Sequence, residues 1–294
     1  MCRSRTLASV SADETRVDPH THSVESDGTD RPADVLRAAA RAGLDVVGLT
    51  DHDSVRGWDQ AASAVAETGV ALLRGAEIST QSRGVSVHLL SYLHDPAEPT
   101  LAEEMERSRR SRLDRARTMV DRIAQDYPIT WELVQAQAAD GATIGRPHIA
   151  DALVAVGAMP DRSTCFDTVL SVRGPYYVPY HAPDAVEAVA MVRAAGGVPV
   201  MAHPRAGVRG RVVSDAVIEA MADAGLFALE IDHRDHTPAA AAELEALAAR
   251  LGLERTGSSD YHGDGKPNVL GERTTRPAVL AKIEEEGRLP VVRP

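Results

Sequence analysis

Histidines and carboxylates of this chain fall in short groups, and each group stands where a strand is predicted to end. Several imidazoles and carboxylates in one place would repel one another or compete for protons unless a cation lay between them. These residue types therefore indicate a bound metal ion. The groups are, in chain order, His20 with His22, Asp51 to Asp53, Glu77, His203, and Asp260 with His262.

Taken singly, each group has a plainer explanation. On extended backbone His20 and His22 would face the same side and could share an ion, but a lone pair of this kind can equally be solvated. Asp53 is predicted to cap the helix that follows it. Glu77 could form a buried ion pair, and His88 in VSVHLLSYL could be a hydrogen-bonded core residue. Their joint occurrence favours the metal site.

The elements that must position these residues alternate between strands and helices over residues 16–95 and again over 184–294. Short apolar runs such as DVVGLT (Asp45 to Thr50) are typical of buried parallel strands. Val85 to Leu93 reads as a further strand, with a possible hairpin to Ala76 to Ser79 across the turn between them. We predict an α/β barrel of six or seven parallel strands, with a doubly wound sheet as second choice. In a barrel, the strand ends would converge on one face.

Between residues 96 and 183 the pattern changes to helical sequence, which we interpret as an inserted lid. Its arginine run, RSRRSRLDRARTM, is interspersed with acids and alanines at helical spacing. That spacing predicts a solvated helix face rather than a track for RNA.

Composition restricts the partners. The chain has 294 residues, 44% hydrophobic and 26% charged, which is ordinary for a globular protein. A net charge of −11 disfavours duplex nucleic acid, whereas a small phosphorylated substrate remains possible where local cations bind it. Aromatic residues are only 3%, so any RNA contact would involve phosphate and at most one terminal base. The oligomeric state is left open.

Cysteine use and hydropathy indicate the compartment. Cys2 and Cys165 are the only cysteines, which excludes a disulfide framework and a thiolate metal site and favours the reducing cytoplasm. No apolar run approaches the ~20 residues of a membrane span, and Met1 to Val10 lacks the apolar stretch of a signal peptide. We therefore expect a cytoplasmic protein that does not enter a membrane.

Six segments, in their order and spacing, resemble the metal-binding motifs of the PHP (polymerase and histidinol phosphatase) family of phosphoesterases. They are DPHTHSVESDG, GLTDHDSV, RGAEIS, VHLLSYL, VMAHP and GSSDYHG, and they span about Val17 to Gly263. The resemblance implies a distorted (β/α)7 TIM-like barrel with a trinuclear metal centre, formed by residues 16–95 and 184–294 around the helical lid of residues 96–183.

The resemblance also implies which residues hold each ion. The division is His20, His22, Glu77 and Asp260 for the first ion, Glu77, His88 and His203 for the second, and Asp27, His52 and His262 for the third. Asp27 departs from the family pattern, which has a histidine there. This mix of imidazole and carboxylate suits two to three divalent ions of Mn, Fe or Zn.

The motif IGRPHIADALV (Ile144 to Val154) resembles the family members that hydrolyse nucleotide 3′,5′-bisphosphates or trim short RNA from its 5′ end. Arg146 would begin a helix, where a cation is unfavourable unless it binds an anion such as phosphate. Arg205 is a second candidate phosphate ligand. His148 and His233 are candidates for binding substrate at the rim and for protonating the leaving oxygen.

Together these observations predict a metal-dependent hydrolase of phosphomonoesters, acting on the 3′-phosphate of nucleoside 3′,5′-bisphosphates (pAp to AMP and phosphate) or on short RNA 5′ ends. A hydroxide bridging two ions is expected to attack phosphorus. A histidinol-phosphate-type phosphatase is one alternative. A non-catalytic metal-binding module is another, although all nine motif positions carry a competent donor. An amidohydrolase-like barrel would want a bridging lysine, and none stands beside these motifs.

Overall fold

A computed structural model describes residues 15–139 and 142–294, so Cys2 and the segment Met1 to Val10 lie outside the described residues. The chain forms a seven-stranded sheet whose strands follow one another in sequence order. The strands are Val17–Thr21 (β1), Val46–Leu49 (β2), Ala71–Ser82 (β3), Val85–Tyr92 (β4), Val198–Met201 (β5), Ala228–Asp232 (β6) and Glu254–Gly257 (β7).

Helices connect most of these strands, as the alternating pattern predicts. Within the described residues they are Pro32–Arg41 (α1), Trp58–Ser63 (α2), Val65–Thr68 (α3), Pro99–Ile123 (α4), Trp131–Gln135 (α5), Arg146–Ala155 (α6), Arg162–Asp167 (α7), Ala185–Ala194 (α8), Asp215–Asp223 (α9), Pro238–Leu251 (α10) and Pro277–Glu286 (α11). A search of the same residues finds no helix with the length and apolarity that a membrane span requires.

Strand direction is mixed rather than wholly parallel. β1, β2 and β3 pair in parallel, as do β5, β6 and β7, whereas β4 is antiparallel to both β3 and β5. The hairpin between β3 and β4 is confirmed, and its two-residue turn has positive φ at both Arg83 (49°) and Gly84 (74°). Turns of this kind match the twist of paired strands. The strand order also excludes a doubly wound sheet, in which the order reverses.

The sheet closes into a barrel through residues that follow β7. Thr275 joins the two edge strands, because its backbone N–H donates to Val17 O at 2.9 Å and its hydroxyl donates to Gly257 O at 2.8 Å. Nearer the strand ends, His22 N–H donates to Tyr261 O at 2.8 Å. We call this junction of β1 with residues 257–275 the seam. It confirms the predicted TIM-like barrel.

The helical insertion has a hydrophobic cluster of its own. Met119 and Ile123 of α4 pack there with Leu153 of α6 and with the buried Cys165 of α7. A different cluster joins the strands to α11, through residues such as Ile283. The insertion is therefore packed as a unit beside the barrel, while the boundaries 96 and 183 stay a prediction.

Candidate metal centre

The nine predicted metal ligands lie together at one end of the barrel. Eight are buried, and the side chain of His88 is 22% exposed. Their positions are His20 in β1, His22 and Asp27 after it, His52 after β2, Glu77 within β3, His88 within β4, His203 after β5, and Asp260 with His262 after β7. Residues far apart in the chain thus converge as the strand pattern predicts.

Glu77 is at the middle of the group. Its Oε1 lies 2.7 Å from Nδ1 of His88 and 3.2 Å from Nε2 of His203. Its Oε2 faces three other imidazole nitrogens, those of His20 at 3.4 Å, His22 at 3.0 Å and His52 at 3.2 Å. The two oxygens of one carboxylate therefore face two different sets of donors, as the predicted bridge between two ions requires.

The first predicted set is compact. Donor atoms of His20, His22, Glu77 and Asp260 all lie within 4.8 Å of one another. Oδ1 of Asp260 is 3.4 Å from Nε2 of both histidines. The four donors can therefore approach one ion.

His52 does not separate cleanly into the third set. Its Nε2 lies 3.8 Å from Asp27 and its Nδ1 lies 3.2 Å from Glu77, so it is shared between two groups of donors. One of these groups adds His22 and the other adds His88. Nε2 of His262 is 3.3 Å from Asp27. The division of nine ligands among three ions stays a prediction.

The protonation of these groups fits a cation. Burial would raise the pKa of Asp260, but Lys266 and Arg209 hold it well below its usual range, so the carboxylate is ionised. Burial lowers the pKa of His203 to about 3 and that of His262 to about 4, which leaves neutral imidazoles with a free lone pair. Ionised carboxylates and neutral imidazoles are the forms that bind metal.

Unpartnered atoms point to the same conclusion. Among the described residues, four buried donor atoms of this group make no well-aligned hydrogen bond, although other members of the group lie 3.2 to 3.4 Å from them: Asp27 Oδ1, His52 Nδ1, Asp260 Oδ1 and His262 Nε2. A buried polar atom left unsatisfied costs about 1–3 kcal/mol, so such atoms rarely occur without a function. Burial would also lower the pKa of His22, yet the carboxylates of Asp260 and Glu77 raise it to about 9. Excess negative charge at this point would be neutralised by bound cations.

Glu230 on β6 orients the ligands, and the sequence analysis missed it. Nδ1–H of His20 donates to Glu230 Oε1 at 2.9 Å, and the backbone N–H of His203 donates to Oε2 at 2.8 Å. Nε2 of His20 is thereby left to face the ligand group, an arrangement common around metal-binding histidines. The sequence does contain a signal for Glu230, because a glutamate is unusual inside an apolar run such as FALEID.

The helix-cap prediction for Asp53 is wrong. Its carboxylate accepts hydrogen bonds from N–H and Oγ–H of Ser79, at 2.8 and 2.6 Å, and pairs with Arg112 Nε at 3.2 Å. α2 begins only at Trp58, and its N-cap is Gly57. Asp53 therefore stabilises β3, the strand that carries Glu77, and does not cap α2.

The two candidate proton donors have the same tautomer. Gly145 N–H donates to Nδ1 of His148, and Asp235 N–H donates to Nδ1 of His233, both at 3.1 Å. A neutral imidazole in this position carries its proton on Nε2. Nε2 of the buried His233 lies 3.7 Å from Asp260 Oδ2, beside the ligand group. Burial lowers the pKa of His148, which keeps it neutral.

Three arginines of the insertion gather next to the predicted metal ligands. Arg112 Nη2 donates to Ser79 Oγ at 2.5 Å, and its guanidinium and that of Arg115 both lie over the ring of Tyr180, at 5.4 and 4.8 Å. Burial and the nearby Arg146 lower the pKa of Arg115 to about 10. We call Arg112, Arg115 and Arg146 the arginine cluster.

The arginine cluster has more positive charge than its carboxylate partners neutralise. Asp53 pairs with Arg112, whereas in the described part of the chain neither Arg115 nor Arg146 has an ion pair with a carboxylate. Arg146 donates to Leu170 O at 3.2 Å and its guanidinium lies 5.2 Å from the Phe166 ring centroid. This excess of positive charge would stabilise a bound anion. The predicted solvated helix face is wrong at Arg112 and Arg115, which are 11% and 8% exposed.

Arg205, the second candidate phosphate ligand, lies in the loop between β5 and α9. Its Nη1 donates to Val213 O at 2.7 Å, and its Nη2 pairs with Asp215 at the start of α9. The guanidinium is thus bound within its own loop. A phosphate role for Arg205 stays a prediction that these contacts do not support.

His262→Ala is expected to remove mainly one ion, because Nε2 of His262 faces Asp27 and not Glu77. Elemental analysis of the purified variant should show a loss of about one equivalent of metal, with the rest retained. Loss of every ion from a variant whose circular dichroism is unchanged would contradict the assignment of His262 to a separate ion.

Known proteins resemble this chain over most of its length. A sequence profile of the PHP domain matches residues 18–141. The 3′,5′-nucleoside bisphosphate phosphatase of Chromobacterium violaceum is 33% identical over 281 residues, which cover 95% of this chain and 98% of that protein. The 5′-3′ exoribonuclease of Haemophilus influenzae is 28% identical, with 84% of this chain and 90% of that protein covered. A crystal structure of a candidate metal-dependent phosphoesterase from Bifidobacterium adolescentis superimposes with a TM-score of 0.91 at 42% identity, covering 93% of this chain and 97% of that one.

Proposed function

The chain belongs to the PHP domain family, and from this premise we propose that it removes the 3′-phosphate of nucleoside 3′,5′-bisphosphates. Family membership makes it a metal-dependent phosphoesterase. The finer assignment is supported by the relative from Chromobacterium violaceum, a bisphosphate phosphatase. Short RNA 5′ ends are a second candidate substrate, supported by the exoribonuclease from Haemophilus influenzae.

The observation that supports the bisphosphate most directly is a second site of positive charge beside the ligand group. Arg112 contacts Ser79, two residues after Glu77 on β3, so the arginine cluster adjoins the predicted metal centre. A bisphosphate offers two anions, one for each site. A substrate with a single phosphate, such as histidinol phosphate, would leave the arginine cluster without a ligand.

The chain's own side chains can bind and orient such a substrate. Divalent ions of Mn, Fe or Zn, when held by the nine predicted ligands, supply positive charge to the phosphate oxygens and an activated water. Glu230 keeps His20 oriented, and the arginine cluster holds the phosphate that does not react. Nε2–H of His233 or of His148 protonates the leaving 3′ oxygen.

We also propose that this reaction takes place in the cytoplasm. Cys165 is a buried free thiol within the hydrophobic cluster of the insertion. A reducing compartment keeps thiols in that state.

A phosphate-release screen tests the substrate assignment. Purified, metal-reconstituted protein is assayed for phosphate release with adenosine 3′,5′-bisphosphate, histidinol phosphate and an aryl phosphate, and for mononucleotide release with short 5′-phosphorylated RNA. The highest kcat/KM is expected with the bisphosphate. Equal or faster turnover of histidinol phosphate would overturn the proposal, and no turnover of any substrate would favour a non-catalytic module.

Arg146→Ala is expected to reduce kcat/KM on the bisphosphate roughly tenfold to hundredfold, because a charge-assisted hydrogen bond contributes on the order of 1.5–3 kcal/mol. The loss on an aryl monophosphate should be much smaller, since that substrate offers no second phosphate. The ratio of the two losses is the quantity to measure. Arg173→Ala, which removes an exposed arginine of the same insertion, is the matched control.

Equal losses of kcat/KM on both substrates in Arg146→Ala, with metal content and melting temperature unchanged, would contradict this prediction. Arg146 would then contact the reacting phosphate, and the insertion would not select bisphosphates.

A further inference from the structure

Two further cations lie beside the predicted metal centre, apart from the arginine cluster. Nη2 of Arg209 is 2.6 Å from Oδ2 of Asp260, and Nζ of Lys266 is 3.1 Å from the same oxygen. Nε2 of His233 is 3.7 Å from it. The other oxygen of Asp260 faces the histidines of the first predicted set. Three nitrogen donors therefore gather at the side of this carboxylate that the first set leaves open.

Arg209 belongs to the exposed loop between β5 and α9. Val208, the residue before it, is 81% exposed, whereas the side chain of Arg209 turns inward and is 30% exposed. Its Nε donates to Oδ2 of Asp235 at 2.6 Å, and the backbone N–H of Asp235 donates to Nδ1 of His233 at 3.1 Å. Asp235 thus holds the arginine and the candidate proton donor next to each other.

Lys266 is held at the site by the helical insertion. The carbonyl oxygen of Gly265 accepts a hydrogen bond from Nη1 of Arg162 in α7 at 2.7 Å, and Arg162 also pairs with Asp151 of α6. The loop that carries Lys266 is therefore fixed from the same side as the insertion.

Contact with Asp260 does not use all the donors of these two cations. Within the described residues Arg209 donates through Nε and Nη2, which leaves Nη1 for a ligand, and the ammonium group of Lys266 has three donors. Lys266 is 29% exposed, so a ligand can reach both side chains. Asp260 is also a predicted metal ligand, and an ion would share its negative charge. An anion next to that ion would be stabilised by both cations.

The arginine cluster and these two cations approach the ligand group from different sides. Arg112 of the cluster contacts Ser79 of β3, whereas Arg209 and Lys266 contact Asp260, which follows β7. Around the closed barrel, β1 and β2 lie between β3 and β7. The cluster can therefore hold one phosphate of a bisphosphate while the other phosphate lies against the two cations.

We propose that Arg209 and Lys266 bind the non-bridging oxygens of the phosphate that reacts. Guanidinium and ammonium groups at these oxygens neutralise their charge during hydrolysis. The inference rests on the proposed function, since it needs a phosphate ester at the predicted metal centre. Arg209 then makes the phosphate contact that the sequence predicts for Arg205, four residues earlier.

Kinetics with two substrates test this proposal. Arg209→Ala is expected to lower kcat/KM by roughly a hundredfold or more on adenosine 3′,5′-bisphosphate and on an aryl phosphate alike, because both present the reacting phosphate. Lys266→Ala should lower both values by about tenfold. Arg146→Ala, in contrast, is expected to affect mainly the bisphosphate. A loss in Arg209→Ala that is confined to the bisphosphate would place Arg209 at the other phosphate and overturn the proposal.

Arg211→Ala and Lys282→Ala are the matched controls. Arg211 is an exposed arginine of the same loop, and its Nη2 donates to Gly84 O at 3.0 Å. Lys282 lies on α11 and is 54% exposed. Both variants should keep the original kinetics on both substrates. Losses as large as that of Arg209→Ala would mean a general effect of removing positive charge and would count against the assignment.

Metal content distinguishes phosphate binding from support of Asp260. Elemental analysis is expected to show the full metal content in Arg209→Ala and in Lys266→Ala. Arg209→Lys keeps the charge but not the planar fork, so it should recover part of the activity that Arg209→Ala loses. A loss of metal in proportion to the loss of activity would mean that the two cations only position Asp260, and the proposal would then be wrong.

Binding of inorganic phosphate tests the site without turnover. Titration calorimetry of the holoenzyme measures the Kd of phosphate, which is expected to rise tenfold or more in Arg209→Ala and to stay unchanged in Arg211→Ala. That result would support the inference even if the bisphosphate were a poor substrate. Turnover of the bisphosphate with unchanged phosphate binding in Arg209→Ala would support the proposed function and overturn the inference.

Discussion

Glu77→Ala is expected to abolish turnover and to lower the metal content by more than one equivalent. The reason is the position of its two carboxylate oxygens, since Oε1 faces His88 and His203 while Oε2 faces His22 and its neighbours. Removing one side chain therefore removes a donor from two sets of ligands. Phosphate release and elemental analysis of the same preparation measure both effects.

Glu103→Ala removes an exposed glutamate of α4 and serves as the control for Glu77→Ala, with full activity and full metal content expected. Glu77→Gln keeps the shape of the side chain but not its charge, so it should also lose metal. Full metal occupancy in Glu77→Ala would refute the bridging position.

Removing the metal with a chelator is expected to eliminate activity and to lower the melting temperature by several degrees. Ions that bind only the folded chain stabilise it, and their loss would leave ionised carboxylates such as Glu77 and Asp260 buried together. Activity and melting temperature should return with Mn, Fe or Zn. Mg²⁺ prefers oxygen ligands and is expected to restore little of either.

Scanning calorimetry of the chelated and reconstituted samples measures the melting temperature, and the phosphate-release assay measures the activity of the same samples. Activity that survives complete chelation, or that none of the three transition metals restores, would contradict the proposed mechanism.

The features that sequence predicts best are those with a local pattern. A short apolar run such as Val198 to Ala202 has few structures available other than a buried strand, and β5 occupies Val198–Met201. A histidine directly after such a run is placed at the end of the barrel by the strand itself. The position of His203 could therefore be predicted without knowing its partners. The β3–β4 hairpin also has a local pattern that predicts it, since Gly84 marks its turn.

The features that sequence missed depend on partners far along the chain. Asp53 looks like a helix cap locally, but its partners are Ser79, 26 positions away, and Arg112 of the insertion. Arg112 looks like part of a solvated helix because helical spacing shows which residues share a face, not which face packs against β3. Glu230 is likewise explained only by His20, 210 positions away.

The seam between β1 and the residues after β7 has a consequence for biosynthesis. Ser259 N–H donates to Asp18 Oδ1 although the two residues are 241 positions apart, and Asp260 completes the donors around His20. A nascent chain on the ribosome therefore carries His20 and His22 long before Asp260 emerges, and it cannot form the complete first site until the barrel closes. Contacts this distant in sequence also form slowly. Metal loading should thus be a late step that follows closure of the barrel, and a truncated chain ending before β7 would be left without a complete first site.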